Sequence, residues 1–159
     1  VRIGLIAVGR LKDGPERLLA DRYLERARQT GRTLGLSGFD NLELAESRAA
    51  RADDRKAEEA SAIAGKLGED RFIAFHEEGE TIDSEAFAAL IGRWRDEGRR
   101  AVFCAIGGAD GFAPSLLKRA DKRVAFGAMT LPHQLVRVLV AEQLYRATTI
   151  LAGHPYHRA

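Results

Sequence analysis

Short apolar runs alternate along this chain with longer amphipathic ones. Arg2–Val8 (RIGLIAV) is β-branched and apolar, as a strand buried on both faces should be. Pro15 opens a run in which Leu19, Tyr23 and Ala27 fall four apart, on one stripe of a helix. Residues 41–45 predict a second strand. Residues 48–67 are charged and alanine-rich, with Ala57, Ala60, Ala64 and Leu67 on one stripe, and predict a surface helix. Residues 71–75 (RFIAF) predict a third strand. Asp83 or Ser84 can cap a helix whose Phe87, Leu90, Ile91 and Trp94 fall at i, i+3, i+4 and i+7, with Gly98 at its stop. Ala101–Ile106 predicts a fourth strand, residues 123–126 a short fifth and residues 133–151 a long final helix.

Strands alternating with helices imply an α/β fold: a mostly parallel sheet with helices on both faces. Its 159 residues suit one domain, 1–159, with no repeat, low-complexity tract or linker. Ligands of such sheets bind beyond the carboxyl ends of the strands, so the loops after the third, fourth and fifth strands are the places to look.

Composition narrows the class. With 45% apolar residues the chain can bury a core without a disulfide or metal, and its single cysteine, Cys104, leaves no intramolecular disulfide and no Cys-rich zinc module. No stretch approaches 18 apolar residues and no signal-peptide pattern is visible, so a cytoplasmic protein with no membrane partner is expected. A net charge of +2 argues against a histone-like polyelectrolyte binder. The charge is uneven: residues 1–100 hold 18 basic and 20 acidic side chains, residues 101–159 hold 7 and 3. An anionic partner would then meet the C-terminal third; chance scatter gives the same numbers.

Three segments carry candidate chemistry. Ile106-Gly107-Gly108-Ala109-Asp110-Gly111 lets the backbone approach a ligand closely, yet it is neither a dinucleotide fingerprint nor a phosphate-binding P-loop. Phe126-Gly127-Ala128-Met129-Thr130-Leu131 is apolar and rich in small residues. Its backbone polar groups suit an uncharged heteroaromatic ring such as adenine, or are paired internally. The tail His154-Pro155-Tyr156-His157-Arg158 brings two imidazoles, a phenol and a guanidinium together, a set able to stack on a base, bind phosphate and move protons; it is otherwise a frayed end. No metal site is expected, since His-x-x-His has no third ligand nearby. The final helix is apolar around its circumference, so a second subunit is the natural cover for one side. On it Glu142 and Arg146 have the i, i+4 order of an ion pair, and Arg137 stands alone among apolar residues, as an interface ion-pair member or an anion anchor.

Taken together and in order, Ala7–Lys12, the Gly107-Gly108 segment, Thr130-Leu131-Pro132-His133 with the helix that follows, and His154-Pro155-Tyr156-His157-Arg158 resemble the RlmH family, ribosomal RNA large subunit methyltransferases of the SPOUT superfamily. The likeness runs end to end. It is most specific from Ile106 onward and thinnest between about residues 34 and 70. The resemblance implies a single SPOUT-type domain with a C-terminal trefoil knot, a cofactor-binding part of about residues 101–159, and a homodimer. It further implies S-adenosyl-L-methionine as methyl donor and N3 of a pseudouridine in 23S rRNA, on the large subunit or assembled ribosome, as acceptor. No DNA partner is implied. By the resemblance the donor is held by Phe75, Gly107, Gly108, Phe126, Gly127, Ala128, Met129, Thr130 and Leu131. Leu is common in the family where Phe75 stands, and an acidic residue where His76 stands.

The expected division of labour places the RNA on Arg137, Arg146, Tyr156 and Arg158. His154 or His157 is the candidate proton acceptor, with direct loss to water as the alternative. Two other classes fit the same segments: a catalytically silent ribosome-binding protein, and a metabolic enzyme whose Gly-rich exit holds a nucleotide phosphate.

Overall fold

Parallel strands need long crossovers, and the helical runs between the apolar segments supply them. A computed structural model describes residues 1–158. Strands β1 (Arg2–Val8), β2 (Ser37–Leu44), β3 (Arg71–Glu80), β4 (Ala101–Ile106) and β5 (Lys122–Val124) form one sheet in the order β2-β1-β4-β3-β5, parallel at every pairing. Strand β4 is central and buried at every position, which explains its unbroken apolar run. Gly4 pairs with Phe103, and a β-carbon at Gly4 would stand 2.6 Å from that ring, so the glycine makes room for the aromatic.

Helices α1 (Pro15–Gly31), α3 (Ser84–Asp96) and α5 (His133–Ala152) cover one face; α2 (Ala52–Leu67) and the short α4 (Pro114–Arg119) cover the other. The carboxylate of Asp83 accepts the Ala86 N–H at 2.7 Å, so Asp83 rather than Ser84 caps α3. Gly153, at φ 70°, ends α5 in a Schellman turn in which the Gly153 and His154 N–H groups reach the carbonyls of Ile150 and Thr149. That turn sends the tail back along α5.

Several sequence expectations shift. Strand β2 begins at Ser37, and α2 begins at Ala52, leaving residues 45–51 as a loop. The buried side of α2 is Glu59, Ile63 and Leu67: of the expected stripe Leu67 is buried, Ala60 and Ala64 are half-buried and Ala57 is exposed, because turning Ile63 inward buries more apolar surface than Ala57 would. Strand β3 runs on to Glu80, and β5 stops at Val124, so Phe126 lies in the following loop. Helix α4 is too short for a periodic signal. The expected need of α5 for a second cover is mostly met within the chain: α1 and α3 flank it, and its Val138, Val140, Ala141 and Leu144 join their core. Leu135, at 46% exposure, is the large apolar side chain of α5 left open.

After Phe75, strand β3 bends around the end of β5. Both Phe75 and Glu80 pair with Val124, and the Ala125 N–H donates to the Glu80 carbonyl at 3.0 Å. Gly79 sits in this clasp, where a β-carbon would lie 2.6–2.9 Å from the backbone of Val124 and Ala125. Backbone cannot yield cheaply, so the crossing requires glycine.

Candidate active site

The exits of β3, β4 and β5 converge on one cavity of about 670 Å³ at the carboxyl edge of the sheet. It falls within the usual size range of small-molecule sites. Phe75, Gly107, Gly108, Phe126, Gly127, Met129, Thr130 and Leu131 line it; Ala128 sits in the same loop but is not part of the wall. The structure also places His76, Glu77, Asp110, Phe112, Pro132, His133 and Val136 on that wall. His76 and Glu77 open the run His76-Glu77-Glu78-Gly79-Glu80, which by sequence reads as a metal or acid/base cluster or as solvated turn residues, and His133 closes the Thr130-Leu131-Pro132-His133 segment.

Each wall has a local cause. The Gly111 N–H returns to the Gly108 carbonyl at 3.0 Å, folding residues 107–111 into a tight turn with Gly111 at φ 81°. A β-carbon on Gly107 would stand 3.1 Å from the Gly111 carbonyl carbon, and one on Gly108 only 2.8 Å from Glu59 Oε1 and 3.1 Å from Val8. Side chains at Gly107 and Gly108 are thereby disfavoured, and the backbone of these two residues borders the cavity. Opposite, Phe126 stacks on Phe75 with centroids 5.2 Å apart, and Phe87 meets Phe75 edge-on at 6.2 Å. Gly127, at φ 117°, turns the loop so that Phe126 and Met129 can both face the opening. Met129 is 86% exposed. A glycine turn facing aromatic and apolar walls suits a flat, uncharged ring held by backbone contacts.

The Gly-rich turn is strapped from outside. Arg55 on α2 grips Asp110 through Nε at 2.7 Å and Nη2 at 3.2 Å, and donates through Nη1 to the carbonyls of Ala49 and Ala50. The Arg55 hydrogen bond holds the Asp110 carboxyl below its ordinary range. Buried Glu59 accepts the Ser47 N–H through Oε2, while its Oε1 has no partner among the described residues.

Arg137 requires a correction. It is neither an interface cation nor free for RNA: it is buried, bonding Glu43 at 2.9 Å and the carbonyls of Val8 and Gly9 at 2.7 Å each. Burial pulls its pKa down while Glu43 pulls it back up. Glu43 also accepts the Leu11 N–H and pairs with Arg17, so one carboxylate organises the β1 exit.

The tail lies on its own α5, away from the cavity wall. Tyr156 packs on Tyr145 at 4.6 Å, lies under the Arg146 guanidinium at 4.8 Å and donates to Glu142 at 3.0 Å; burial and that carboxylate push its pKa up. Arg146 pairs with Glu142, as the i, i+4 spacing predicted. It also donates to His157 Nδ1 at 3.1 Å. Because a guanidinium cannot accept, His157 Nδ1 carries no proton, and its Nε2–H donates to Glu85 at 2.7 Å. That contact holds the Glu85 carboxyl below its ordinary range. His154 and Arg158 are exposed. The structure therefore gathers most of the residues expected at the donor site, but brings neither tail histidine to the cavity of its own chain.

Comparison with known proteins gives a consistent picture. A family model described as "Predicted SPOUT methyltransferase" matches residues 1–157. The chain is 59% identical to ribosomal RNA large subunit methyltransferase H of Bradyrhizobium sp. strain BTAi1, covering 100% of both chains, and 55% identical to the protein of that name from Rhizobium leguminosarum bv. trifolii, covering 99% of each. Among solved structures, a probable methyltransferase from Bordetella pertussis Tohama I superposes with a TM-score of 0.53 at 13% identity, covering 92% of this chain and 95% of that one. At that identity the likeness concerns the fold.

Proposed function

The chain belongs to the SPOUT methyltransferase family, and on that premise we propose that it transfers a methyl group from S-adenosyl-L-methionine to N3 of a pseudouridine in 23S rRNA. The rRNA large subunit methyltransferases it resembles end to end support the acceptor class. The observation that carries the donor assignment is the cavity, with a turn in which β-carbons on Gly107 and Gly108 would stand 3.1 Å and 2.8 Å from their neighbours and the Phe75–Phe126 stack opposite it.

When bound, the donor supplies a methyl group made electrophilic by its sulfonium. The chain's part is binding and orientation. Gly107 and Gly108 offer backbone groups at close approach, and residues 126–131 with Phe75 would hold the donor. Orientation alone is worth up to about 7–11 kcal/mol, so a site with little acid–base apparatus suffices. The N3 nitrogen would take the methyl group as the S–CH3 bond breaks, with S-adenosylhomocysteine as the leaving group, and the N3 proton leaves, to water or to a tail histidine presented by a second subunit. Within its own chain the Nδ1 acceptor of His157 is already taken by Arg146. A homodimer is supported by Leu18 and Leu135, 69% and 46% exposed on the first turns of the packed helices α1 and α5. The clasp of Phe75–Glu80 around Val124 is the kind of crossing that a C-terminal trefoil knot needs. The reaction belongs in the cytoplasm, on the large subunit or the assembled ribosome.

Single-turnover transfer of labelled methyl from S-adenosylmethionine to 50S subunits and 70S ribosomes of a deletion strain tests the reading, with the product nucleoside identified by mass. N3-methylpseudouridine is the expected product. A silent ribosome binder gives no transfer and no heat with S-adenosylmethionine, and a metabolic enzyme prefers a phosphorylated ligand. If His154→Ala and His157→Ala each leave the rate unchanged, the proton goes to water.

A further inference from the structure

The cations of the C-terminal third are largely committed within the chain. Arg137 and Arg146 are ion-paired, Lys122 pairs with Glu80, and Arg119 and Arg123 bond the carbonyls of Gly68 and Leu117. The exposed cations nearest the carboxyl edge of the sheet come instead from the first third.

Strands β1 and β2 end side by side, with Val8 paired to Leu44 and the Gly9 N–H on the Leu44 carbonyl at 2.6 Å. Arg10 and Lys12 follow β1, and Arg48 and Arg51 follow β2; all are exposed. Among the described residues none of these side chains is ion-paired to a carboxylate. Their backbones are nevertheless held. Arg137 bonds the Val8 and Gly9 carbonyls, Glu43 takes the Leu11 N–H at 2.5 Å, and Arg17 bonds the Leu11 carbonyl at 2.8 Å. On the second loop Arg55 bonds the carbonyls of Ala49 and Ala50 while gripping Asp110 on the cavity wall. Arg17 and Arg137 share the single carboxylate of Glu43, and Arg17 also approaches Asp13 at 3.7 Å, so these acids are spent on the inner arginines rather than on the four outer cations. Glu16, Glu46 and Asp54 stand on the same segments without pairing to these four cations, and Asp53 is engaged with Lys56.

We propose that Arg10, Lys12, Arg48 and Arg51 form a preorganised phosphate-binding rim that seats the backbone of the substrate RNA beside the cavity. The inference rests on the rRNA-methyltransferase reading above. Phosphate backbone is the partner such a rim fits: free cationic side chains on fixed loops meet a regular line of negative charge, and ordering them costs little. Without base contacts the rim sets affinity and register, leaving choice of nucleotide to the cavity.

The test uses the full-length protein with 50S subunits and 70S ribosomes from a deletion strain. The variants are R10E/K12E, R48E/R51E, and the milder pairs R10Q/K12Q and R48Q/R51Q. Each glutamate pair is expected to raise KM for the ribosomal substrate by about tenfold or more and each glutamine pair by less, and both should flatten the dependence of KM on salt, as lost phosphate contacts do. S-adenosylmethionine affinity should stay at the wild-type value, and R10K with R48K/R51K should restore KM. Unchanged KM and salt slope in all the variants, beside an active wild type, overturn the rim. So does a rise in KM that tracks lost S-adenosylmethionine affinity in the glutamine pairs, which is structural damage. A wild type that methylates neither particle overturns the reading of function itself.

Discussion

The carboxyl edge of the sheet is built from two different materials. Beyond β4, β3 and β5 the wall is mostly glycine, aromatic and aliphatic, with His76, Glu77, Asp110 and His133 among them, and its tightest turn is shaped by the room that Gly107 and Gly108 leave. Beyond β1 and β2 the shape comes from charge: Glu43 ties together Arg17, Arg137 and the Leu11 N–H, and Arg55 bonds three residues at once. The lesson is that the two halves should fail for different reasons. Added volume should damage the first, and an unpaired charge the second.

The largest effect is expected in the charged half. Arg137→Ala leaves Glu43 short of a buried cation and the Val8 and Gly9 carbonyls without donors, and should cost about 3–5 kcal/mol in urea unfolding. A smaller loss, within about 1 kcal/mol, breaks the claim that this ion pair organises the β1 exit. In the glycine half, Gly108→Val drives a side chain toward Glu59 and Val8. About 1–3 kcal/mol of stability should go, and S-adenosylmethionine affinity by calorimetry should fall by more than about tenfold, equivalent to roughly 1.4 kcal/mol. Affinity kept at the wild-type level contradicts the role assigned to the turn. Next, Phe126→Ala removes the stack on Phe75 at a position 37% exposed. It should weaken the donor by a few-fold, about 0.5–1.5 kcal/mol, with little change in unfolding.

The last prediction concerns the sheet that both halves share. Burial pushes the Cys104 thiol up to about 12, against 9.0 for the ordinary thiol. Below pH 9 the thiol is neutral folded or unfolded and contributes nothing. Above it the unfolded chain releases the proton first, so stability falls with rising pH between about 9 and 12, by up to about 1.4 kcal/mol per pH unit from this group. The alkaline decline should be shallower in Cys104→Ala, and thiol reagents at pH 8 should label Cys104 only as fast as the chain unfolds. Rapid labelling of the folded protein contradicts the burial.

What was legible in the sequence divides along the same line. Residues 2–8 and 101–106 could be placed as strands because each is an apolar run with one reading, and Asp83 or Ser84 marked the start of α3. The glycine half of the edge was visible too, since Gly107-Gly108 and the 126–131 loop are contiguous and each carries its own composition. The charged half was not. Arg137 meets Glu43 and Gly9 from far along the chain, and no spacing on α5 tells a buried guanidinium from an exposed one. For the same reason the C-terminal excess of basic residues did not reveal which of those cations are ion-paired: partners such as Glu43 and Glu80 lie in other segments. The tail was readable as chemistry but not as position, because the turn at Gly153 decides where it goes.

The most direct measurement is a mass map of 23S rRNA from a strain lacking this protein, complemented with the wild-type chain or with Gly108→Val. The account predicts that one methyl group on a pseudouridine N3 disappears in the deletion, returns with the wild type and returns weakly or not at all with the variant. An identical methylation pattern in the deletion and the parent would contradict it.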